Sequence, residues 1–186
     1  FRRVLFRSHD APWLLDSGRR RGSRAFHTGS APQGGMDKSE QNEAEICQNF
    51  ISPALVQAGW DAATQVRREF TFTAGRVIVR GKVAVRGKQL RADYVLFYES
   101  NLPLALIEAK DNSHSVGDGM QQALDYATTL DIPFVFSSNG DGFVFHDRTA
   151  TAGTIETTLS LAAFPGPDHL WDRYRTWKGL TDEAEK

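Results

Sequence analysis

Two stretches of this chain are apolar on both faces of a strand and carry charge near one end: Arg91-Ala-Asp93-Tyr-Val-Leu-Phe-Tyr98 and Leu104-Ala-Leu-Ile-Glu108-Ala-Lys110. A strand that is apolar on both faces is stable only where the sheet is covered on both sides. Helices must therefore flank a central strand pair, which predicts an α/β layered architecture. The carboxylates need a separate explanation, because an ion in an apolar layer is costly without a partner. Asp93 and Glu108, with Lys110 two residues on, suggest a divalent-metal site suited to phosphodiester cleavage. A structural salt bridge from Lys110 to either carboxylate is the plain alternative.

The strand pair reads as a hairpin closed by Glu99-Ser-Asn-Leu102, with Pro103 opening the second strand. A four-residue loop sets Tyr98 opposite Pro103, and so Asp93 opposite Glu108. Asp93, Val95 and Phe97 then share a face with Leu104, Leu106, Glu108 and Lys110. Tyr94, Leu96, Tyr98, Ala105, Ile107 and Ala109 take the other face. A shift of one residue would part the carboxylates, so the proposed chemistry and the register stand together.

Ahead of this pair, residues 39–58 carry a helical pattern that Ser39 or Asp37 can cap and Gly59 can stop. Pro53 predicts a kink or a break near Ser52. Ile46, Cys47, Phe50 and Ala54 fall on one apolar face, with Glu43 in its middle and Glu45 directed away. Strand-like runs follow at 65–73 and 76–85, with Gly75, Gly81 and Gly87 as turn candidates. Beyond the hairpin, 117–130 reads as a covering helix with Ala123, Ala127 and Leu130 inward and Gln122 and Tyr126 at one border. Strands are expected at 133–137 and 142–147, joined by Asn139-Gly-Asp-Gly142, with an edge strand near 155–159. A last helix, 168–178, carries Leu170, Trp171, Tyr174 and Trp177. The two tryptophans pack against the protein or form a stacking pair for bases.

With 40% hydrophobic residues the chain can build one ordinary core. No apolar run approaches the ~20 residues of a membrane span, so no membrane partner is expected. The single cysteine, Cys47, excludes a disulfide framework and a cysteine-rich zinc site. His114 and His146 lack a spaced ligand partner and read as loop and strand residues. The net charge of -1 hides two unlike parts: residues 1–35 hold seven Arg/Lys against Asp10 and Asp16, and the remainder holds 15 basic against 21 acidic residues. Overall charge gives the body no bias toward nucleic acid. Locally, Arg67, Arg68, Arg76, Arg80, Lys82, Arg86, Lys88 and Arg91 are opposed only by Glu69. They form either a phosphate-contacting surface, with Arg86, Lys88 and Arg91 nearest the carboxylates, or a solvated strand face.

Residues 9–35 are rich in Arg, Gly, Ser and Pro without periodicity, which reads as disorder. A transit peptide is one account of this start. The favoured account treats Phe1-Arg-Arg-Val-Leu-Phe-Arg-Ser8 as a translated sequencing adapter, the rest as upstream read-through, and Met36 as the natural start.

The order of these parts resembles the PD-(D/E)XK nuclease superfamily: a helix with an inward glutamate, strands with Asp and Glu-x-Lys, then a helix with Gln-x-x-x-Tyr. More narrowly, six ordered segments resemble the amino-terminal nuclease domain of type I restriction enzyme R subunits. They are Asn42-Glu-Ala-Glu-Ile-Cys47, Ala58-Gly-Trp60, Arg91-Ala-Asp93-Tyr94, Ile107-Glu-Ala-Lys110, Gln121-Gln-Ala-Leu-Asp-Tyr126 and Ser138-Asn-Gly140. The resemblance spans residues 36–178 and departs in having Ala92 where proline is usual. It implies a restriction-endonuclease-like αβββαβ core, a central mixed sheet flanked by helices on both faces.

The resemblance also implies roles. Asp93, Glu108 and the Ala109 carbonyl would hold Mg²⁺ or Mn²⁺, Lys110 would be the catalytic lysine, and Glu43 would assist the metal site. Gln122 and Tyr126 would support it. The implied partners are double-stranded DNA, methyltransferase and specificity subunits, and ATP-driven motor domains, in a prokaryotic cytoplasm. ATP would bind only the motor, since no Gly-x-x-x-x-Gly-Lys-[Ser/Thr] segment occurs here. The chain accordingly reads as a fragment: nuclease domain at 36–165, helix and linker start at 166–186. A catalytically silent DNA-docking module, or a stand-alone repair nuclease of the same superfamily, are the competing readings.

Overall fold

The computed structural model describes residues 40–73, 78–80, 83–85 and 87–180, with side chains for all but the two short strands. Expectations for residues 1–39, Gly75, Arg76, Gly81, Lys82, Arg86 and 181–186 lie outside the described residues. The chain runs α1 (Glu43–Ile46), a π-helical turn (Cys47–Ile51), α2 (Ser52–Gln57), β1 (Val66–Thr73), β2 (Ile78–Arg80), β3 (Val83–Val85), β4 (Gln89–Glu99) and β5 (Leu102–Ala109). Then follow α3 (Met120–Leu130), β6 (Phe134–Ser138), β7 (Gly142–Asp147), β8 (Glu156–Ser160), a short 3₁₀ turn and α4 (Pro167–Lys178).

Six strands form one mixed sheet in the order β1-β4-β5-β6-β7-β8, and β2 and β3 pair by themselves. Only β5 and β6 run parallel. A parallel neighbour needs a crossover, and α3 supplies it. The strand-like run expected over 76–85, with Gly81 as a turn candidate inside it, contains the antiparallel pair of β2 and β3.

The sheet is covered on both faces, as the doubly apolar strands require. One core joins Ile46, Ile51, Leu55, Trp60 and Leu170 to Tyr94, Leu96, Ile107, Phe134 and Phe136. The other packs Met120, Ala123 and Ala127 of α3 on Val95, Leu106 and Val135. The last helix, beyond residue 165, shares the first core. Leu170 is fully buried, Trp171 stacks on Tyr98 at 4.6 Å, and Arg173 pairs with the buried Asp147. Trp171 therefore packs within the protein, whereas Trp177 stays 43% exposed.

Three expectations are corrected. The hairpin loop is two residues, Ser100 and Asn101, and Phe97 rather than Tyr98 pairs with Pro103. Register shifts on either side of Phe97 cancel, so Tyr94 still faces Ile107. One consequence is that Leu104 joins Ala105 in the first core instead of sharing the face of Leu106. The first helix is capped by Asn42, not Ser39 or Asp37, in a capping box where Asn42 Oδ1 accepts the Glu45 N–H and Glu45 Oε2 accepts that of Asn42. Glu45 is half-buried in that box. Finally, the break expected near Ser52 takes the form of the π turn, which shifts burial from Phe50 to Ile51.

Where α2 ends, Gly59 adopts φ +97°. Its N–H reaches the Val56 carbonyl and that of Trp60 reaches Leu55, closing the helix in a Schellman turn. Gly59→Ala leaves side-chain room but forces a left-handed φ on an L residue, and should cost about 1–2 kcal/mol. Urea unfolding of the two proteins checks this; equal midpoints would show that the turn closes by another route.

Candidate active site

The candidate residues come from four elements, β4, β5, α3 and α1, that meet near one end of β5. β5 is paired on both sides, with β4 antiparallel and β6 parallel, and its last six residues are buried. The β4–β5 ladder ends at Tyr94–Ile107, which places Asp93 and Glu108 one step beyond it. There the Asp93 side chain acts as a strand partner: its Oδ2 accepts the Ala109 N–H at 2.8 Å. On the other side, the Lys110 N–H reaches the Ser138 carbonyl at 2.8 Å and extends the parallel pairing by one residue.

Glu108 is 2% exposed. Gln122 from α3 donates its amide N–H to Glu108 Oε1 and to the Tyr126 hydroxyl, the latter at 3.2 Å. Lys110 Nζ donates to Gln122 Oε1 at 3.3 Å and lies 3.9 Å from Glu108 Oε1. One oxygen of Glu108 is thereby shared by an amide and an ammonium. The other, Oε2, is buried and has no hydrogen-bond partner. Tyr126 is braced edge-on by Phe72 at 5.3 Å.

Electrostatics reflect this crowding. Burial, then the Asp93 charge, push the Glu108 carboxyl up to about 8, against the pull of Lys110. Burial also raises Asp93, opposed by its bond from Ala109 and by Lys110. Glu43 is raised by burial and then by Asp93, so the helix glutamate feels the strand site. Glu43 and Asp93 line one recess of about 90 Å³ with Arg68, Glu69 and Arg91.

The structure thus brings together Asp93, Glu108, Lys110, Gln122 and Tyr126, with Glu43 at the rim. Arg91 is exposed and sits 3.8 Å from Glu69. Lys88 is exposed just ahead of β4 and is not among the residues lining the recess; Arg86 is outside the described residues. Among the described residues, no group of three or more His, Cys, Asp or Glu is placed to hold a metal. Any ion would rest on two carboxylates, a backbone carbonyl such as that of Ala109, and water. That all-oxygen set suits a hard cation that keeps part of its hydration shell.

Two features were given no part in building the site by the sequence reading. Glu69 has φ +49°, and at this point both strands switch faces: Arg68 lies over Tyr94 while Phe70 and Ala92 join the opposite core. Glutamate gives no sequence signal for such a kink. Asn139, in the Ser138-Asn-Gly140 segment, is 4% exposed and clamps the loop after Lys110. Its amide donates to the His114 carbonyl at 2.8 Å, and its own carbonyl accepts from Asn112. The signal was an amide inside a turn between two apolar strands.

The sequence profile of the type I restriction enzyme R protein N terminus matches residues 40–154. The EcoAI endonuclease subunit of a type I restriction enzyme from Escherichia coli is 48% identical over 147 residues, 78% of this chain and 18% of that protein. A fragment structure assigned to an HsdR subunit of a type I restriction enzyme from Vibrio vulnificus aligns with TM-score 0.64 and 40% identity, over 77% of this chain and 27% of that one. The chain therefore spans about a fifth of the curated relative's length.

Between its ordinary value of 4.5 and about 8, native Glu108 keeps a proton that the unfolded chain has released. Stability from this group is greatest below the lower value and is lost as pH rises toward the upper one. The raised Asp93 and Glu43 act in the same direction. In metal-free buffer, Glu108→Gln should gain denaturation midpoint over the wild type progressively from about pH 5 to pH 8. A pH-independent difference would contradict the burial argument.

Proposed function

Because the chain belongs to the family of type I restriction enzyme R protein N termini, we propose that it is the DNA-cutting domain of such a subunit. It hydrolyses phosphodiester bonds of duplex DNA with Mg²⁺, or Mn²⁺ in its place. It works in a complex with methyltransferase and specificity subunits, driven by ATP-dependent motor domains elsewhere in the longer subunit. A prokaryotic cytoplasm is the matching location. Among the described residues, no helix is long and apolar enough to cross a membrane.

The observation that carries this reading is the buried, unpartnered Oε2 of Glu108 beside Asp93. A purely structural carboxylate would have both oxygens satisfied or be replaced by an apolar residue. The residues present fit a hard divalent cation, which would be held by Asp93, Glu108 and the Ala109 carbonyl. When bound it would supply Lewis-acid charge to the phosphate and help activate water.

The protein's own groups do the remainder. Lys110 orients the attacking water and balances charge that builds on the phosphate, acting from a position that Gln122 fixes by hydrogen bond. Gln122 also holds Glu108 Oε1, so Oε2 would be the oxygen available to a cation, and Tyr126 steadies Gln122. Glu43 completes the acidic rim. Arg91, with Lys88 and Arg86 along the same segment, contacts backbone phosphates and so positions the duplex without reading its sequence.

In the complete subunit assembled with its partners, Asp93→Ala and Lys110→Ala should each lower DNA cleavage by at least about 100-fold. ATP-driven translocation should be unchanged. Cleavage measured on circular DNA alongside translocation decides the matter; undiminished cutting by either variant refutes the assignment.

A further inference from the structure

The π turn between α1 and α2 is a rare feature in a short helix, and it joins the half that carries Glu43 and the buried Ile46 to the half that buries Ile51 and Leu55. Part of its cause is local. Pro53 has no N–H, and in an unbroken α-helix its ring would press on the Asn49 carbonyl. Proline alone, however, more often breaks or kinks a helix than widens it. The widened turn has a specific occupant.

Tyr94, the residue after Asp93, is completely buried beneath this helix. Its hydroxyl donates to the Cys47 carbonyl at 2.9 Å and lies 2.9 Å from Ser52 Oγ. Cys47 O also accepts the Ser52 N–H, five residues on, as a π turn demands. A buried phenol needs a polar partner, and here it meets the first and last groups of the widened turn.

The turn changes where Glu43 points. Over an unbroken α-helix, Glu43 would stand about 80° from Ile51 and 120° from Leu55 around the axis. One π turn removes about one residue of rotation, which reduces both angles to about 20°. Ile51 and Leu55 are buried after the turn, and Ile46 before it, all three in the core against the sheet. The turn therefore brings the Glu43 side of α1 into line with the buried side of α2, and Glu43 lines the recess it shares with Asp93.

We propose that Tyr94 is a positioning residue for the candidate metal site: by holding the π turn open, its hydroxyl ties the placement of Glu43 to the strand that carries Asp93. The inference rests on the metal-site reading above and adds a residue that touches neither metal nor substrate. Its signature is dependence on Glu43. Tyr94→Phe removes only the hydroxyl, so amide hydrogen exchange across residues 47–52 should quicken by about fivefold. Mn²⁺ affinity of the chain, by calorimetry, should fall by about tenfold. In the Glu43→Gln background the same change should alter Mn²⁺ affinity by less than about twofold.

Pro53→Ala, at an exposed position, restores the missing donor and offers a second route to closing the turn; its effect on Mn²⁺ should likewise vanish with Glu43→Gln. Equal losses in both backgrounds, or faster exchange with unchanged affinity, would overturn the positioning role while leaving the metal site standing. Failure of the wild-type chain to bind Mn²⁺ would remove the metal-site reading itself, and the inference with it.

Discussion

β5 is hydrogen-bonded to a neighbour on each side and buried on each face, so nothing at its end can move independently of the sheet. That constraint makes a charged site possible here. Glu108 cannot swing out to solvent to ionise, and its surroundings instead come to it: an amide from α3, an ammonium two residues on, and the Asp93 carboxylate across the strand. Rigidity of this kind is what a reacting centre requires, since misplacement by about 1 Å can cost two orders of magnitude in rate. The same confinement explains the unpartnered Oε2, which no donor of the protein reaches.

Much of this was legible in the sequence because it follows from periodicity. Two-residue alternation at 91–98 and 104–110 gave the central strands, the two covered faces and the near-alignment of Asp93 with Glu108. Three- and four-residue spacing put Gln122 and Tyr126 together on α3, and Gly59 marked a helix end whose left-handed φ only glycine takes easily. What escaped was whatever breaks periodicity without a glycine or a proline to announce it. The bulges around Phe97 moved Leu104 to the other core, and the kink at Glu69 reversed both β1 and β4. Pro53 did announce an interruption, but whether a helix breaks, bends or widens depends on a tyrosine more than 40 residues away. Capping was misplaced for a similar reason: several residues near a helix start can cap, and the Asn42–Glu45 box decides only once the chain is folded.

The site's charge balance links the acid groups to the cations around them. Burial raises Glu108, Asp93 and Glu43 together, so each gives up its proton less readily than a free carboxyl. A cation entering would replace protons as the neutralising charge, so binding and proton release would be coupled. Arg68 and Arg91, both exposed, line the recess of Glu43 and Asp93 with them.

The paired bulges near Phe97 also separate two tasks within one hairpin. Between the turn at Ser100–Asn101 and the ladder from Leu96 to Tyr94, the strands slip and then recover. Irregularity is absorbed in the distal third, while the proximal pairs are held by β1 and β6 as well. The turn is thus insulated from the carboxylates. A change in the length of the turn can be taken up there without shifting Asp93 against Glu108.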